Sequence, residues 1–141
     1  MRIILLLCVL VSGCATSTYF KQNPPNEKEA LVYFIRKRAE PTAWQIYVFV
    51  DGQQAASLAN ASYTRFSVPA GRRSIRLEWA SFMAGGADIK NTDFDFRGND
   101  SRYFLIEGST SVGAYNYSQT TRLSEISPVH GEMLVRELDN Q

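Results

Sequence analysis

The sequence predicts an all-β fold, an antiparallel β-sandwich of seven or eight strands with a short C-terminal helix. Short segments rich in β-branched and aromatic residues recur along the chain, and several of them alternate apolar with polar residues. Turn signals separate these segments every ~8–12 residues, as is typical of sandwiches. The chain contains no internal repeats, and helical periodicity is confined to its C-terminal end.

The first half of the predicted sandwich is built around a hairpin. ALVYFIR (30–36) is an apolar run that suits a strand covered on both faces. WQIYVFVDG (44–52) alternates, and its closing Asp51-Gly52 predicts a hairpin turn because both residues accept positive φ. The following strands are QQAASLA (53–59) and YTRFSV (63–68), with a PAG turn (69–71) after them.

The second half begins with the cleanest alternation in the chain. In RRSIRLEWA (72–80), the apolar residues Ile75, Leu77 and Trp79 share one face, which predicts a half-buried strand. SFMAGGADIKN (81–91) is expected to be a loop. The remaining strands are TDFDFR (92–97), RYFLIEG (102–108) and SVGAYNYSQTTRLSEI (111–126), the last being one bent strand or two.

A helix is predicted at the end of the chain. Ser127 and Pro128 suit an N-cap and a first helical residue. Met133, Leu134 and Leu138 are expected to face the core, although Gly131 weakens helix propensity.

The N-terminus has the features of an export signal. Arg2 precedes the apolar run IILLLCVLV (3–11), which is too short for a membrane span of about 20 residues and fits a signal-peptide core. The small residues Ser12 and Gly13 then lead to Cys14. We expect a signal peptide over 1–13, a lipidated cysteine with a flexible tether containing Pro24-Pro25 over 14–29, and one domain over 30–141.

VSGC (11–14) resembles the lipobox of bacterial lipoproteins, with Val11 in place of the usual leucine. The resemblance implies cleavage between Gly13 and Cys14, acylation of that cysteine by groups such as palmitate, and attachment to membrane lipid. Ala15, rather than Asp, implies the outer membrane with the domain in the periplasm, with the inner membrane or the cell surface as alternatives. The other interpretation of Cys14 is an ordinary thiol behind a conventional secretion signal.

Charge and ligand content exclude several function classes. The chain carries 15 Lys and Arg against 14 Asp and Glu, and removal of Arg2 with the leader balances them, so a nucleic-acid partner is not expected. One histidine and one mature cysteine cannot form a zinc site, and no motif indicates a metal or a cofactor.

Two groups of polar residues invite a catalytic or calcium-binding interpretation. Asp93, Asp95, Asn99 and Asp100 lie close in sequence, and His130 is the single histidine. Because Asp93 and Asp95 alternate with phenylalanines, the pattern favours a strand with an acidic outer face.

Aromatic residues out of phase with the core are the other candidates for a binding surface. Tyr47 and Phe49 lie opposite the apolar face of their strand, Trp44 precedes them, and Tyr115 and Tyr117 share a phase. Aromatic residues on both faces of a strand indicate either a second packed face or a contact surface.

Residues 46–58 and 63–79 together resemble the PEGA-type β-module, which joins strands through VDG and VPAG turns. With the lipobox and YFLIE (103–107), the chain is similar to small bacterial lipoproteins known as domain of unknown function 2846. This resemblance implies an immunoglobulin- or transthyretin-like sandwich and brings no catalytic residues.

The expected function is a lipid-anchored, non-catalytic module that binds an envelope protein. The alternatives are a glycan- or peptidoglycan-binding module, and a hydrolase using Asp93, Asp95 or His130.

Overall fold

A computed structural model describes residues 20–38, 44–80 and 89–141, without the side chains of Lys90 and Tyr117. The predicted signal peptide, Cys14, the first part of the tether and the glycine pair of the 81–91 loop lie outside these residues. The elements are β1 (Glu29–Arg36), β2 (Ile46–Val50), β3 (Gln53–Leu58), β4 (Ser62–Pro69), β5 (Gly71–Trp79), β6 (Ile89–Phe96), β7 (Ser101–Val112), β8 (Tyr117–Ile126) and α1 (Pro128–Asp139).

The strands form two four-stranded sheets that pack as a sandwich, which confirms the predicted fold class. The first sheet has the order β4-β1-β7-β8 and the second has the order β3-β2-β5-β6. Antiparallel pairing was expected throughout, but β1 and β7 are parallel, with Tyr33 opposite Tyr103. The two strands are far apart in sequence, so no tight turn dictates their relative direction.

The core lies between the sheets and follows the alternation of the sequence. Ile75, Leu77 and Trp79 are buried as predicted. Phe34 stacks on Phe66 and on Phe104 of the two flanking strands, with ring centroids 5.5 and 5.3 Å apart. These rings form a row across the inner face of the first sheet, where they meet the apolar side chains of β2 and β5.

Helix α1 covers part of the outer face of the first sheet. Ser127 caps it by accepting a hydrogen bond from the His130 backbone N–H, and Pro128 occupies its first turn, as predicted. Leu134 is buried against Ile35 and Leu105, whereas Met133, which was expected to face the core, is 57% exposed. No helix in the described ranges combines the length and apolarity that crossing a membrane requires.

Gly131 lies where α1 packs directly on the ring of Tyr103, and this position explains why a residue of low helix propensity stands in the helix. A Cβ atom on Gly131 would overlap the ring of Tyr103. The glycine therefore permits a helix-to-sheet approach that any larger residue would prevent.

The described part of the predicted tether, 20–29, lies against the edge of the first sheet. The Phe20 ring packs on Phe66 at 5.5 Å, and the backbone N–H of Ser67 donates to the Lys21 carbonyl over 2.9 Å. Ser67 also exchanges hydrogen bonds with the backbone of Asn23. The segment thus covers the outer edge of β4 instead of leaving it open to solvent.

Candidate functional site

The structure describes the side chains of four of the five candidate contact aromatics, and these four lie in three places. Tyr47 and Phe49 lie half-buried on the outer face of the second sheet, opposite the core. Trp44 packs partly against the core. Tyr115 is fully exposed at the turn between β7 and β8, and the Tyr117 side chain lies outside the described atoms.

The outer face of the second sheet carries an aromatic surface with charged neighbours, which we call the aromatic face: Tyr47, Phe49, Arg76 and Glu78. In the β2–β5 pair, Tyr47 is opposite Glu78 and Phe49 is opposite Arg76. The Arg76 guanidinium lies 4.1 Å from the centroid of the Phe49 ring and forms an ion pair with Glu78. Helix α1 packs on the other sheet, and no other described helix or strand covers this face.

Strands β7 and β8 continue past the last pair with β1 as a two-stranded arm, which comprises residues 107–122. The base of the arm is tied to the second sheet, because Trp79 Nε1 donates to Thr121 Oγ1 over 2.6 Å. The last pair between β1 and β7 joins Arg36 to Ile106, while β7 and β8 stay paired to Val112 and Tyr117. At the tip, Val112 is 77% exposed and Tyr115 is 100% exposed. The structure therefore places Tyr115 on a projection, separate from the aromatic face.

A second candidate site, which the sequence did not indicate, is a cleft of about 290 Å³ between α1 and the outer face of the first sheet. Its sheet side presents Tyr33, Tyr63, Tyr103 and Arg65. Tyr33 and Tyr103 stack with centroids 4.5 Å apart, because direct pairing of β1 with β7 places them side by side. The helix side is lined by Glu132, Val135, Arg136 and Asp139.

Hydrogen bonds and burial fix the tyrosines of this cleft. The Tyr63 hydroxyl donates to Asp139 Oδ1 over 2.9 Å. Burial raises the pKa of Tyr63, and the hydrogen bond to the Asp139 carboxylate raises it further. Burial also raises the pKa of Tyr103. A hydrogen bond with Tyr33 raises the pKa of Arg65.

The cleft continues along the sheet toward the N-terminal segment. A neighbouring cleft of about 270 Å³ is lined by Gln22, Asn23, Pro24, Pro25, Leu31 and Arg65. Arg65 borders both clefts, and its Nε donates to Gln22 Oε1 over 3.3 Å. We call the two together the tyrosine groove. The sequence signal that could have found it is the presence of tyrosines on β1 and β7 opposite the core phenylalanines.

The residues considered for catalysis are not brought together. Asp93 lies on the outer face of the second sheet, 2.8 Å from Arg72 Nη2, and Asp95 is exposed nearby. His130 is exposed in the first turn of α1, which packs on the other sheet. Within the described ranges, no group of three or more His, Cys, Asp or Glu side chains could hold a metal ion.

Arg36 begins the basic run Arg36-Lys37-Arg38 at the end of β1, yet its side chain is buried. It is 2% exposed, its Nη1 donates to the Trp44 and Leu58 carbonyls over 2.6 and 3.3 Å, and its guanidinium lies 5.0 Å from the Trp79 ring. Burial lowers the pKa of Arg36 to about 10, so it stays charged at neutral pH. Arg36 therefore joins three elements at one end of the sandwich.

In comparisons with known proteins, no protein-family model, curated protein or solved structure matches the chain.

Proposed function

We propose that the protein is a lipid-anchored, non-catalytic binding module of the bacterial envelope, attached through Cys14 to the outer membrane and facing the periplasm. In this proposal it binds another envelope protein through the aromatic face. The carrying observation is that Tyr47, Phe49 and Arg76 lie together on the two central strands of a sheet face that no described element covers.

The composition of the aromatic face supports a protein partner. Tyrosine, phenylalanine and arginine are enriched in protein interfaces, and tyrosine and arginine often dominate the binding energy. Arg76 already lies on Phe49 and pairs with Glu78, so the arginine is positioned before a partner arrives.

Site-specific photocrosslinking in intact envelopes tests the aromatic face. A photoreactive amino acid at Tyr47 should give a discrete adduct that Phe49→Asp reduces at least tenfold. Asp95→Ala, on the same sheet but outside the face, should leave the adduct unchanged. Equal adducts in the Phe49→Asp and Asp95→Ala proteins would show that this face does not bind the crosslinked protein.

Acyl labelling tests the anchor separately. Cys14→Ser should abolish incorporation of labelled palmitate and move the protein from the membrane fraction to the soluble fraction. The wild-type protein, fractionated in parallel, provides the reference. Labelled palmitate that persists in the Cys14→Ser protein would rule out this cysteine as the attachment point.

Binding of a glycan in the tyrosine groove is a second candidate function. The groove combines tyrosine hydroxyls with Arg65, Arg136, Glu132 and Asp139, which gives both donors and acceptors along an elongated cleft. Its charges are balanced, so it favours a hydroxyl-rich ligand over a polyanion.

Calorimetric titration with soluble peptidoglycan fragments tests this second candidate. Arg65→Ala should weaken binding at least tenfold, because Arg65 borders both clefts, while Arg38→Ala should leave binding unchanged. No heat of binding to the wild-type protein, or equal affinities for the two variants, would exclude a glycan site in the groove.

A further inference from the structure

The docked N-terminal segment restricts how far the sandwich can stand from a membrane. Residues 20–29 lie on the protein, so only 15–19 separate Cys14 from Phe20, the first described residue. Six residue steps span at most about 20 Å. A lipid on Cys14 therefore holds the sandwich close to the bilayer surface rather than on a long, free tether.

The course of this segment indicates which end of the sandwich is nearer the anchor. The Lys28 carbonyl accepts from the Ala70 N–H, at the end of the sandwich opposite the arm. Phe20 lies farther along β4, beside Phe66. Followed back from Lys28 to Phe20, the chain thus moves toward the end from which the arm projects.

The arm extends past that end. Its six β7 residues beyond the last pair with β1, 107–112, correspond to about 20 Å. Phe66 lies four residues from the start of β4, or about 13 Å below that end. With the anchor limited to about 20 Å from Phe20, the arm tip extends farther toward the membrane than Cys14 can.

The tip has the chemistry of a membrane interface. Val112 and Tyr115 are the exposed apolar and aromatic side chains there, and tyrosine is favoured at the level of lipid headgroups. Lys37 and Arg38 are exposed at the same end of the sandwich. Anionic lipid headgroups attract these two basic side chains when the arm end faces the bilayer.

We propose that the arm is a second membrane contact: Val112 and Tyr115 enter the headgroup region of a bilayer containing anionic lipid and orient the sandwich with the arm end toward that bilayer. This inference rests on the proposed attachment through Cys14. Two points of contact, the lipid and the arm tip, fix the tilt of the sandwich relative to the bilayer. A single flexible attachment would leave this tilt free to vary.

Depth-dependent fluorescence quenching tests the contact in the full lipidated protein. Cys8 leaves with the leader and the Cys14 sulfur carries lipid, so Tyr115→Cys introduces the single free thiol of the mature chain. We expect a thiol-linked, environment-sensitive fluorophore at this position to be quenched by brominated lipids in phosphatidylethanolamine–phosphatidylglycerol vesicles. Glu27→Cys, exposed at the opposite end, is the matched control.

The expected result is quenching at least threefold stronger for the Tyr115→Cys protein than for the Glu27→Cys protein. Equal quenching, or stronger quenching for Glu27→Cys, would overturn the orientation while leaving the anchor intact. Intact-mass measurement of the same proteins separates the two ideas: a chain without acyl groups would refute both the anchor and the orientation that depends on it.

Discussion

Arg36 ends β1 with its guanidinium inside the sandwich, where it donates to the Trp44 and Leu58 carbonyls and lies over Trp79. Arginine suits this position because its flat guanidinium can lie over an indole ring while one of its nitrogens donates to both carbonyls. The side chain therefore closes one end of the core through polar contacts rather than through apolar packing.

Arg36→Ala should lower the free energy of unfolding by about 3 kcal/mol. The substitution removes two hydrogen bonds from a charged donor, and the Trp44 and Leu58 carbonyls lose that donor. Arg38→Ala, at an exposed position nearby, should change stability by less than about 0.5 kcal/mol. Urea unfolding followed by circular dichroism measures both. Equal effects of the two substitutions would contradict the structural role of Arg36.

Gly131→Ala distinguishes packing from helix propensity. Propensity alone predicts a gain of about 1 kcal/mol, whereas the overlap of a Cβ atom with the Tyr103 ring predicts a net loss of about 1–3 kcal/mol. We expect a lower melting temperature, measured by scanning calorimetry. Glu132→Ala, at the exposed neighbouring position, serves as the control, and a rise in the melting temperature of the Gly131→Ala protein would refute the close approach.

At the scale of elements, the docked N-terminal segment depends on another close contact. A Cβ atom on Gly98 would overlap the backbone of Glu27, and the Asn99 N–H donates to the Asn26 carbonyl over 2.8 Å. The turn before β7 therefore forms a seat for residues 26–29. Docking covers the edge of β4, which would otherwise be available to pair with a foreign strand.

Gly98→Ala should release this segment without unfolding the sandwich, because the overlap involves a backbone that cannot simply rotate away. Trypsin should then cleave after Lys21 and Lys28 at least five times faster, as read by mass spectrometry. Asp95→Ala, exposed on β6, should not change the cleavage rate. Unchanged cleavage of the Gly98→Ala protein would mean that the segment does not need this seat.

Most elements could be predicted from the sequence because their signals are local. The alternation in 72–80 corresponds to β5, and the apolar run in 30–36 is covered on both faces as expected, by the core and by α1. The seat at Gly98 and the arm could not be predicted, since both depend on contacts between distant segments. Pro24-Pro25 suggests a free tether, yet hydrogen bonds to Ser67 hold the adjoining residues.

In the candidate sites, too, only the features with a local sequence signal could be predicted. Tyr47 and Phe49 could be placed on the face opposite the core from their phase alone. The tyrosine groove could not, because it requires Tyr33 and Tyr103 to be adjacent through a parallel pairing that no local pattern specifies. Which strands become neighbours is decided by burial of the whole core rather than by any one segment.

For the whole molecule, the tyrosines of the groove predict a loss of stability in alkali. Burial raises the pKa of Tyr63 and Tyr103 in the folded protein above the ordinary value of 10.0. As pH rises through 10, the unfolded chain loses these protons first, so the free energy of unfolding falls between that value and the raised folded pKa values. Below about pH 9 the two tyrosines should contribute no pH dependence.

Replacing Tyr63 and Tyr103 by phenylalanine should therefore reduce the fall in stability between pH 9 and 11.5. Circular-dichroism melts at half-unit steps of pH measure this slope. Tyr115→Phe, at a fully exposed position, should leave the slope unchanged. A slope that is identical in the double variant and in the wild-type protein would show that the groove tyrosines do not ionise differently on unfolding.

The central position of β1 also governs when the chain can fold. Among the described strands β1 is synthesised first, yet it lies between β4 and β7, and Tyr33 pairs with both Arg65 and Tyr103. Contacts of such large sequence separation raise the contact order and slow folding. The first sheet cannot close until residues 101–106 are available, so the emerging chain remains open through most of its synthesis.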